Sequence, residues 1–126
     1  EQRGMAFALH DLGNIARALE QFDQARAYLR RAMILALEIQ AVPLAHYVIT
    51  GIAELQASRG NVREALELLF FVVEQQSGFE MATNRAAALI ASLRDQVEAA
   101  QIEECKLLAK NIRFDQLVEN LLESQW

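Results

Sequence analysis

The segment GNVREALELLFFVVEQQSG, residues 60–78, begins with a glycine turn signal, continues through an apolar run and ends at a second glycine. A related segment, EQFDQARAYLRRAMILALEI, occupies residues 20–39. A shift of 40 residues aligns small and large residues of the two regions: Leu12 with Ile52, Gly13 with Ala53, Phe22 with Val62, Ala25 with Ala65, and Leu29 with Leu69. This recurrence predicts two similar helical hairpins, because one such hairpin buries its apolar face only by stacking on another.

Helical periodicity dominates the whole chain, and strand alternation is nearly absent. The predicted helices cover about residues 4–19, 22–39, 43–58, 61–76, 80–97, 98–111 and 114–123. Pro43 fits the first turn of the third helix, where its missing N–H costs nothing. Ser77 and Gly78 are expected to end the fourth helix. The sequence therefore predicts an all-α fold in one domain.

The turns between the helices carry their own signals. Gly60 is suited to the left-handed position that follows a helix, and Asn61 with Glu64 three residues later is typical of a capping box. Glu20 stands at the place equivalent to Gly60, and a non-glycine residue enters this conformation only at a cost of roughly 1 kcal/mol. We therefore expect the first turn to differ in shape from the turn at Gly60.

Composition limits the possible classes of protein. The 126 residues are 53% apolar and 23% charged, a balance typical of a soluble globular domain. The single cysteine, Cys105, excludes an intramolecular disulfide. Apolar runs such as Leu68–Val73 are too short to cross a bilayer, and the first residues lack the features of a signal peptide. We expect a cytoplasmic protein with no membrane partner.

The charge distribution argues against direct binding to nucleic acid. Acidic residues outnumber basic residues by 17 to 12, and the whole net charge of −5 lies in residues 41–126. The nearest approach to a basic patch is formed by Arg26, Arg30 and Arg31. We interpret these arginines as a solvated outer face.

The sequence contains few of the residue patterns that catalysis requires. His10 and His46 have no histidine or cysteine at ligand spacing, and no histidine lies near Cys105. There is no glycine-rich phosphate loop and no nucleophile elbow. A hydrolase that uses Cys105 or a histidine is the weakest of three hypotheses. We expect a protein that is not an enzyme and that holds no cofactor or metal.

The repeated residues resemble the tetratricopeptide repeat. The resemblance is carried by Leu12, Gly13, Phe22, Ala25, Leu29 and Ala32 in the first unit, and by Ile52, Ala53, Gly60, Val62, Ala65 and Leu69 in the second. It implies antiparallel helical hairpins stacked as a right-handed superhelix, an α-α solenoid, with C-terminal capping helices. The implied units are a first repeat at about 4–39, a second at about 43–76, and a third hairpin with its cap at about 80–123.

A narrower resemblance concerns residues 83–122. Arg85-Ala86 followed by Leu89 and Leu93, and a final FDxLVxxLL helix from Phe114 to Leu122, are similar to the closing segment of bacterial STAND-ATPase and maltose-regulator-like signalling proteins. This implies the C-terminal repeat domain of a larger bacterial regulator, acting as a protein-interaction or effector-binding scaffold. The alternative is a free-standing adaptor that binds a partner peptide in its concave groove.

In stacked hairpins of this kind the first helix of each unit lines the concave surface. The groove residues predicted to meet a protein, a peptide or a small effector are Phe7, His10, Asn14, Arg17, Tyr47, Thr50 and Glu54. The competing interpretation is an ordinary hydrated surface. A chaperone-tail carboxylate clamp is excluded, because His10 and Gly51 stand where that motif has a lysine and an asparagine.

Two further expectations concern the ends of the chain. Because the chain begins at Glu1, we expect a piece of a longer array whose first helix self-associates. The apolar residues that the second helix cannot all cover are Met5, Ala8, Leu12, Ile15 and Leu19. The last helix is expected to close the open end of the stack and to cover the fifth helix.

Overall fold

The computed structural model describes residues 1–75, 79–124 and 126, and these ranges are helical and contain no strand. Within them lie seven α-helices: α1 Gln2–Ala18, α2 Phe22–Glu38, α3 Val42–Ser58, α4 Val62–Glu74, α5 Glu80–Leu93, α6 Ala99–Asn111 and α7 Phe114–Glu123. A 3-10 turn, Arg94–Gln96, follows α5 directly. The all-α prediction is confirmed. The expected helix stop at Ser77 and Gly78 lies outside the described residues.

The first three turns share one backbone geometry. Their middle residues have positive φ angles of 60° at Glu20, 57° at Gln40 and 87° at Gly60. In the first turn the N–H of Gln21 donates to the carbonyl of Ala16 over 2.8 Å, and equivalent bonds close the other two turns over 2.9 Å. This is the Schellman arrangement, in which a left-handed residue satisfies the free carbonyls at a helix end. The expectation of a differently shaped first turn is therefore wrong, because Glu20 adopts the left-handed conformation.

Two helix starts can be compared with the sequence signals. Pro43 lies in the first turn of α3, as predicted. Asn61 precedes α4, but its side chain makes no capping hydrogen bond. Its Nδ2 instead donates to Oε1 of Gln56 over 2.8 Å. The capping box expected from Asn61 and Glu64 is wrong, because the Asn61 side chain binds back to the end of α3.

The first four helices pack closely, each against its neighbour in sequence. A Cβ added at Gly13 would lie 2.7 Å from Cγ of Leu29, and one at Gly51 would lie 2.9 Å from Cδ2 of the same leucine. Ala25 and Ala65 are fully buried. Small residues therefore bring the helix axes together and leave Leu29 enclosed between α1 and α3, as the small-residue pattern predicted for Gly13.

The C-terminal helices are arranged less regularly. α5 packs against α3 and α4, whereas α6 packs against α4. Guanidinium Nη1 of Arg63 on α4 lies 3.2 Å from Oε2 of Glu104 on α6. The side chain of Cys105 is buried in the same interface, 4.0 Å from the carbonyl of Arg63. Thus α4 is the helix on which both α5 and α6 rest.

The last helix, α7, turns back over the earlier part of the chain. The Phe114 ring stacks on Phe71 of α4 with centroids 6.2 Å apart and lies edge-on to His46 of α3 at 5.3 Å. The guanidinium of Arg30 on α2 donates to the carbonyl of Leu122. These contacts are with α2, α3 and α4, whereas the sequence led us to expect α7 over α5.

One face of α1 is left without a covering helix in the described chain. Met5, Leu12, Ile15 and Leu19 are between 42% and 63% exposed. Ala8, which shares their spacing, is exposed as well. The sequence predicted that α2 would leave this set uncovered, and the structure agrees.

Candidate functional site

The predicted groove residues lie on α1 and α3, and α5 extends the same surface because it packs against α3. At one end three aromatic rings meet. The centroid of Phe7 lies 5.9 Å from that of Tyr47 and 6.3 Å from that of Phe79, and the last two rings are 5.8 Å apart. All three side chains are half-buried, so each presents part of its ring to solvent. Phe7 and Tyr47 were predicted as groove residues, whereas Phe79 was not.

His10 lies directly beside this aromatic cluster. Its ring centroid is 4.4 Å from that of Tyr47, and the residue is only 2% exposed. Room for the imidazole depends on Gly51, where an added Cβ would lie 2.9 Å from both Cδ2 and Nε2 of His10. Burial lowers the pKa of His10, although Asp11, with Oδ1 3.5 Å from Nδ1, acts in the opposite direction. The ring is therefore held neutral near pH 7.

Thr50 takes a different position from the one expected. It is buried, and its hydroxyl donates to the carbonyl of Tyr47 over 2.6 Å. This bond within α3 uses the hydroxyl and leaves it no solvent-facing surface. Thr50 therefore supports the helix behind the aromatic cluster and does not line a groove, so that part of the predicted set needs correction.

An ion-pair cluster lies one to two helical turns away along the same helices. Carboxylate Oε2 of Glu54 is 3.3 Å from Nη2 of Arg17 on α1 and 2.6 Å from Nη2 of Arg85 on α5. Glu54 is 15% exposed in its side chain and Arg85 is 43% exposed. A carboxylate shared by two guanidinium groups leaves an excess of positive charge at this end of the surface.

Arg85 was noted in the sequence only as part of an Arg-Ala pair, and nothing placed it in the groove. Its position depends on how α5 packs on α3, which is a long-range contact. Helical spacing gives no local signal for it either, because Phe79 and Arg85 are six positions apart and residues that share a helix face are three or four apart.

Several buried polar atoms on this surface have no hydrogen-bond partner. They are Nε2 of His10, Oδ1 of Asn14 and Nε of Arg17. The three residues are spaced by four and three positions on α1 and therefore share one face. A buried polar group without a partner costs roughly 1–3 kcal/mol.

The groups considered for catalysis do not assemble. Burial raises the pKa of the Cys105 thiol, which disfavours the nucleophilic thiolate. Among the described residues, no three His, Cys, Asp or Glu side chains come together in a way that could hold a metal ion. His46 lies beneath α7, with its ring against Phe71 and Phe114.

None of the helices in residues 1–75 and 79–124 combines the length and the apolar character needed to cross a lipid bilayer. Comparison with protein-family models, with curated proteins and with solved structures found no match to this chain. The surface of α1, α3 and α5 is therefore the feature of this chain from which a function can be inferred.

Proposed function

We propose that this chain is a non-enzymatic scaffold that binds a peptide or a small effector on the surface of α1, α3 and α5. In this proposal it is the C-terminal repeat domain of a larger cytoplasmic bacterial signalling or transcription regulator, with its hairpins stacked as a right-handed tetratricopeptide-like superhelix. The three identical turns, with left-handed residues at Glu20, Gln40 and Gly60, support a repeating architecture.

The observation that carries the binding proposal is the order of surfaces along α1, α3 and α5, with the half-buried aromatic cluster at one end and the Glu54 ion pairs at the other. Asn14 and Arg17, which are both partly exposed, lie between them on α1. A bound chain with an apolar side group at the aromatic end and hydrogen-bonding groups along its length would match this order of surfaces. A carboxylate at the far end would meet Arg17 and Arg85.

A peptide selection tests this proposal. Peptides from a random phage-displayed library would be selected on the folded chain, and their affinities measured by fluorescence anisotropy. Tyr47→Ala and Arg85→Ala should each weaken binding about tenfold or more, as expected for an aromatic or arginine anchor. Asp115→Asn, on the exposed side of α7, is the matched control and should have no effect. Selected peptides that bind all four proteins equally would contradict the proposed site.

The proposal also includes self-association through α1. Met5, Ala8, Leu12, Ile15 and Leu19 are spaced by three and four residues in alternation, which is the pattern of a coiled-coil seam. In an antiparallel pair with its two-fold axis near Leu12, Met5 of one copy lies near Leu19 of the other. Both copies would then cover their exposed apolar side chains.

Light scattering coupled to size exclusion measures this association. The unaltered chain should elute as a dimer at tens of micromolar, and Leu12→Glu should convert it into a folded monomer. Gln116→Glu, which adds the same single negative charge at an exposed position of α7, controls for a change of charge alone. A monomeric unaltered chain at that concentration would refute the α1 contact while leaving the peptide-binding surface untouched.

A further inference from the structure

The helix α7 is anchored at its N-terminal end by aromatic contacts. Phe114, its first residue, stacks on Phe71 with an interplanar angle of 17° and meets the edge of His46 at 85°. The two residues before it, Ile112 and Arg113, have extended backbone and connect α7 to α6. The position of α7 thus depends on these side-chain contacts, because its connection to α6 is short and not helical.

The C-terminal end of α7 is held by arginines from α2 and the end of α3. The guanidinium of Arg30 donates to the carbonyl of Leu122, and Nη1 of Arg59 donates to the carbonyl of Trp126 over 3.1 Å. The indole Nε1 of Trp126 donates to the carbonyl of Leu121 over 2.6 Å. The last carbonyls of a helix are unsatisfied and form the negative end of its dipole, so cationic donors stabilise them.

Between these anchors α7 does not fill the surface on which it lies. A solvent-open cleft of about 380 Å³ lies between Leu117 and Leu121 of α7, Leu68 of α4 and the end of α6. A second open cleft, of about 490 Å³, lies between Leu37 of α2 and the side of α7 that carries Val118. Because both clefts open to solvent, α7 covers only part of the apolar surface on which it lies.

The surface beneath α7 also contains an unpaired polar side chain. His46 is 3% exposed, and neither of its ring nitrogens has a hydrogen-bond partner. Phe114 covers it but offers only the face or edge of a benzene ring. A buried imidazole without a partner costs free energy, so α7 is an imperfect match for the surface it occupies.

The charged residues around α7 indicate what kind of partner could occupy the surface beneath it. The cleft at the C-terminal end of α7 is lined by Arg26 and Arg30 together with Glu123. The exposed side of α7 carries Asp115, Glu119 and Glu123. The arginines that the sequence suggested as a solvated face therefore meet the acidic end of a helix.

We propose that this surface, the outer groove, docks an acidic amphipathic helix of a partner protein, and that α7 occupies it in the absence of the partner. The outer groove is lined by Arg30, Leu37, His46, Leu68 and Phe71. The partner helix presents an aromatic residue in its first turn, aliphatic residues three, four, seven and eight positions later, and an acidic residue at its C-terminal end, where Glu123 of α7 lies beside Arg26 and Arg30. This site is separate from the peptide surface of α1, α3 and α5, and only α3 contributes to both.

A synthetic peptide of residues 113–126, labelled with fluorescein, serves as the probe. It is added to the full-length chain and to full-length Phe114→Ala, in which the internal helix has lost its aromatic anchor. Because the internal and added helices compete, Phe114→Ala should bind the peptide at least about tenfold more tightly than the unaltered chain. A peptide with its own phenylalanine replaced by alanine should not bind, and Leu107→Ala, on an exposed position of α6, should behave as the unaltered chain.

Arg30→Ala in the Phe114→Ala background distinguishes binding of the peptide in the outer groove from non-specific binding. The double variant should lose the gained affinity, because Arg30 is needed by whichever helix is bound. If Phe114→Ala does not fold, as judged by its helical content, Leu122→Ala provides a milder release of α7. The proposal is overturned if the folded release variant binds the peptide no better than the unaltered chain, or if removal of Arg30 leaves binding unchanged. It is also overturned if release of α7 yields only dimers that exchange this helix between copies.

Discussion

Residues 1–75 and residues 79–124 are both helical, but they are held together in different ways. In the first region the same left-handed turn recurs after α1, α2 and α3, and small residues such as Gly13 bring the helices into close contact. In the second region the connections are irregular, and α7 is bound by side chains at its two ends with open clefts between them. The comparison teaches that local signals can specify packing between sequence neighbours, whereas a returning helix depends on distant contacts.

Two leucine truncations should separate the regions most clearly. Leu29→Ala removes a fully buried side chain enclosed by Gly13 and Gly51 and should lower the free energy of unfolding by about 4 kcal/mol. Leu117→Ala, beside the open cleft under α7, should lower it by about 2 kcal/mol, because fewer contacts are lost. Urea unfolding followed by circular dichroism measures both. Equal losses would contradict the difference in packing.

Removal of residues 113–126 should have the next largest effect. The deletion loses the burial of Phe114 and the leucines of α7, but it also removes the cost of ordering these residues, about 1–2 kcal/mol of backbone entropy each, so we expect a net loss of only about 2 kcal/mol. Hydrogen exchange should then become faster at the ends of α2 and α4, and unchanged in α5. Faster exchange confined to α5 would instead support the arrangement expected from the sequence, in which α7 covers α5.

Substitutions in the three turns should have smaller effects of opposite sign. Gly60→Ala places a side chain at a φ of 87° and should lower stability by about 1 kcal/mol. Glu20→Gly relieves the same restriction and should raise stability by several tenths of a kcal/mol, as should Gln40→Gly. Thermal unfolding of the three variants gives the comparison. A stabilised Gly60→Ala variant would show that the turns are not equivalent.

The change of the free energy of unfolding with pH should be the smallest of the four effects. Burial lowers the pKa of His46 below its ordinary value of 6.5, so the unfolded chain takes up a proton at a higher pH than the folded chain. The stabilising contribution is present above pH 6.5 and is lost as the pH falls towards the lowered pKa. Urea unfolding between pH 7.5 and 5.5 should show this loss, and His46→Phe should reduce it.

His10 serves as the internal control for the pH experiment. Burial lowers its pKa as well, so His46→Phe should leave part of the acid sensitivity in place. A variant His10→Phe with the same residual sensitivity would show that the two histidines contribute alike. An unaltered chain whose stability does not change over this range would contradict the lowering of both pKa values by burial.

Helix positions could be predicted well because apolar spacing, Pro43 and Gly60 act over a few residues. Phe7 and Tyr47 were predicted for the candidate site for the same reason, since helical spacing places Phe7 with Asn14 on one face of α1 and Tyr47 with Glu54 on one face of α3. Phe79 and Arg85 were missed because their position depends on the packing of α5 against α3. The return of α7 was also missed, because an amphipathic pattern shows that a helix face is buried but not which helices cover it.

The recurrence of one turn geometry at Glu20 and Gly60 has a consequence for protein engineering. The 40 residues from Gln21 to Gly60 form a cassette whose two ends have the same backbone conformation. A copy of this cassette inserted after Gly60 would meet matching geometry at both junctions and would present another α3-like surface to its neighbours. The chain is therefore a natural template for arrays of adjustable length, in which the number of cassettes sets the length of the assembly.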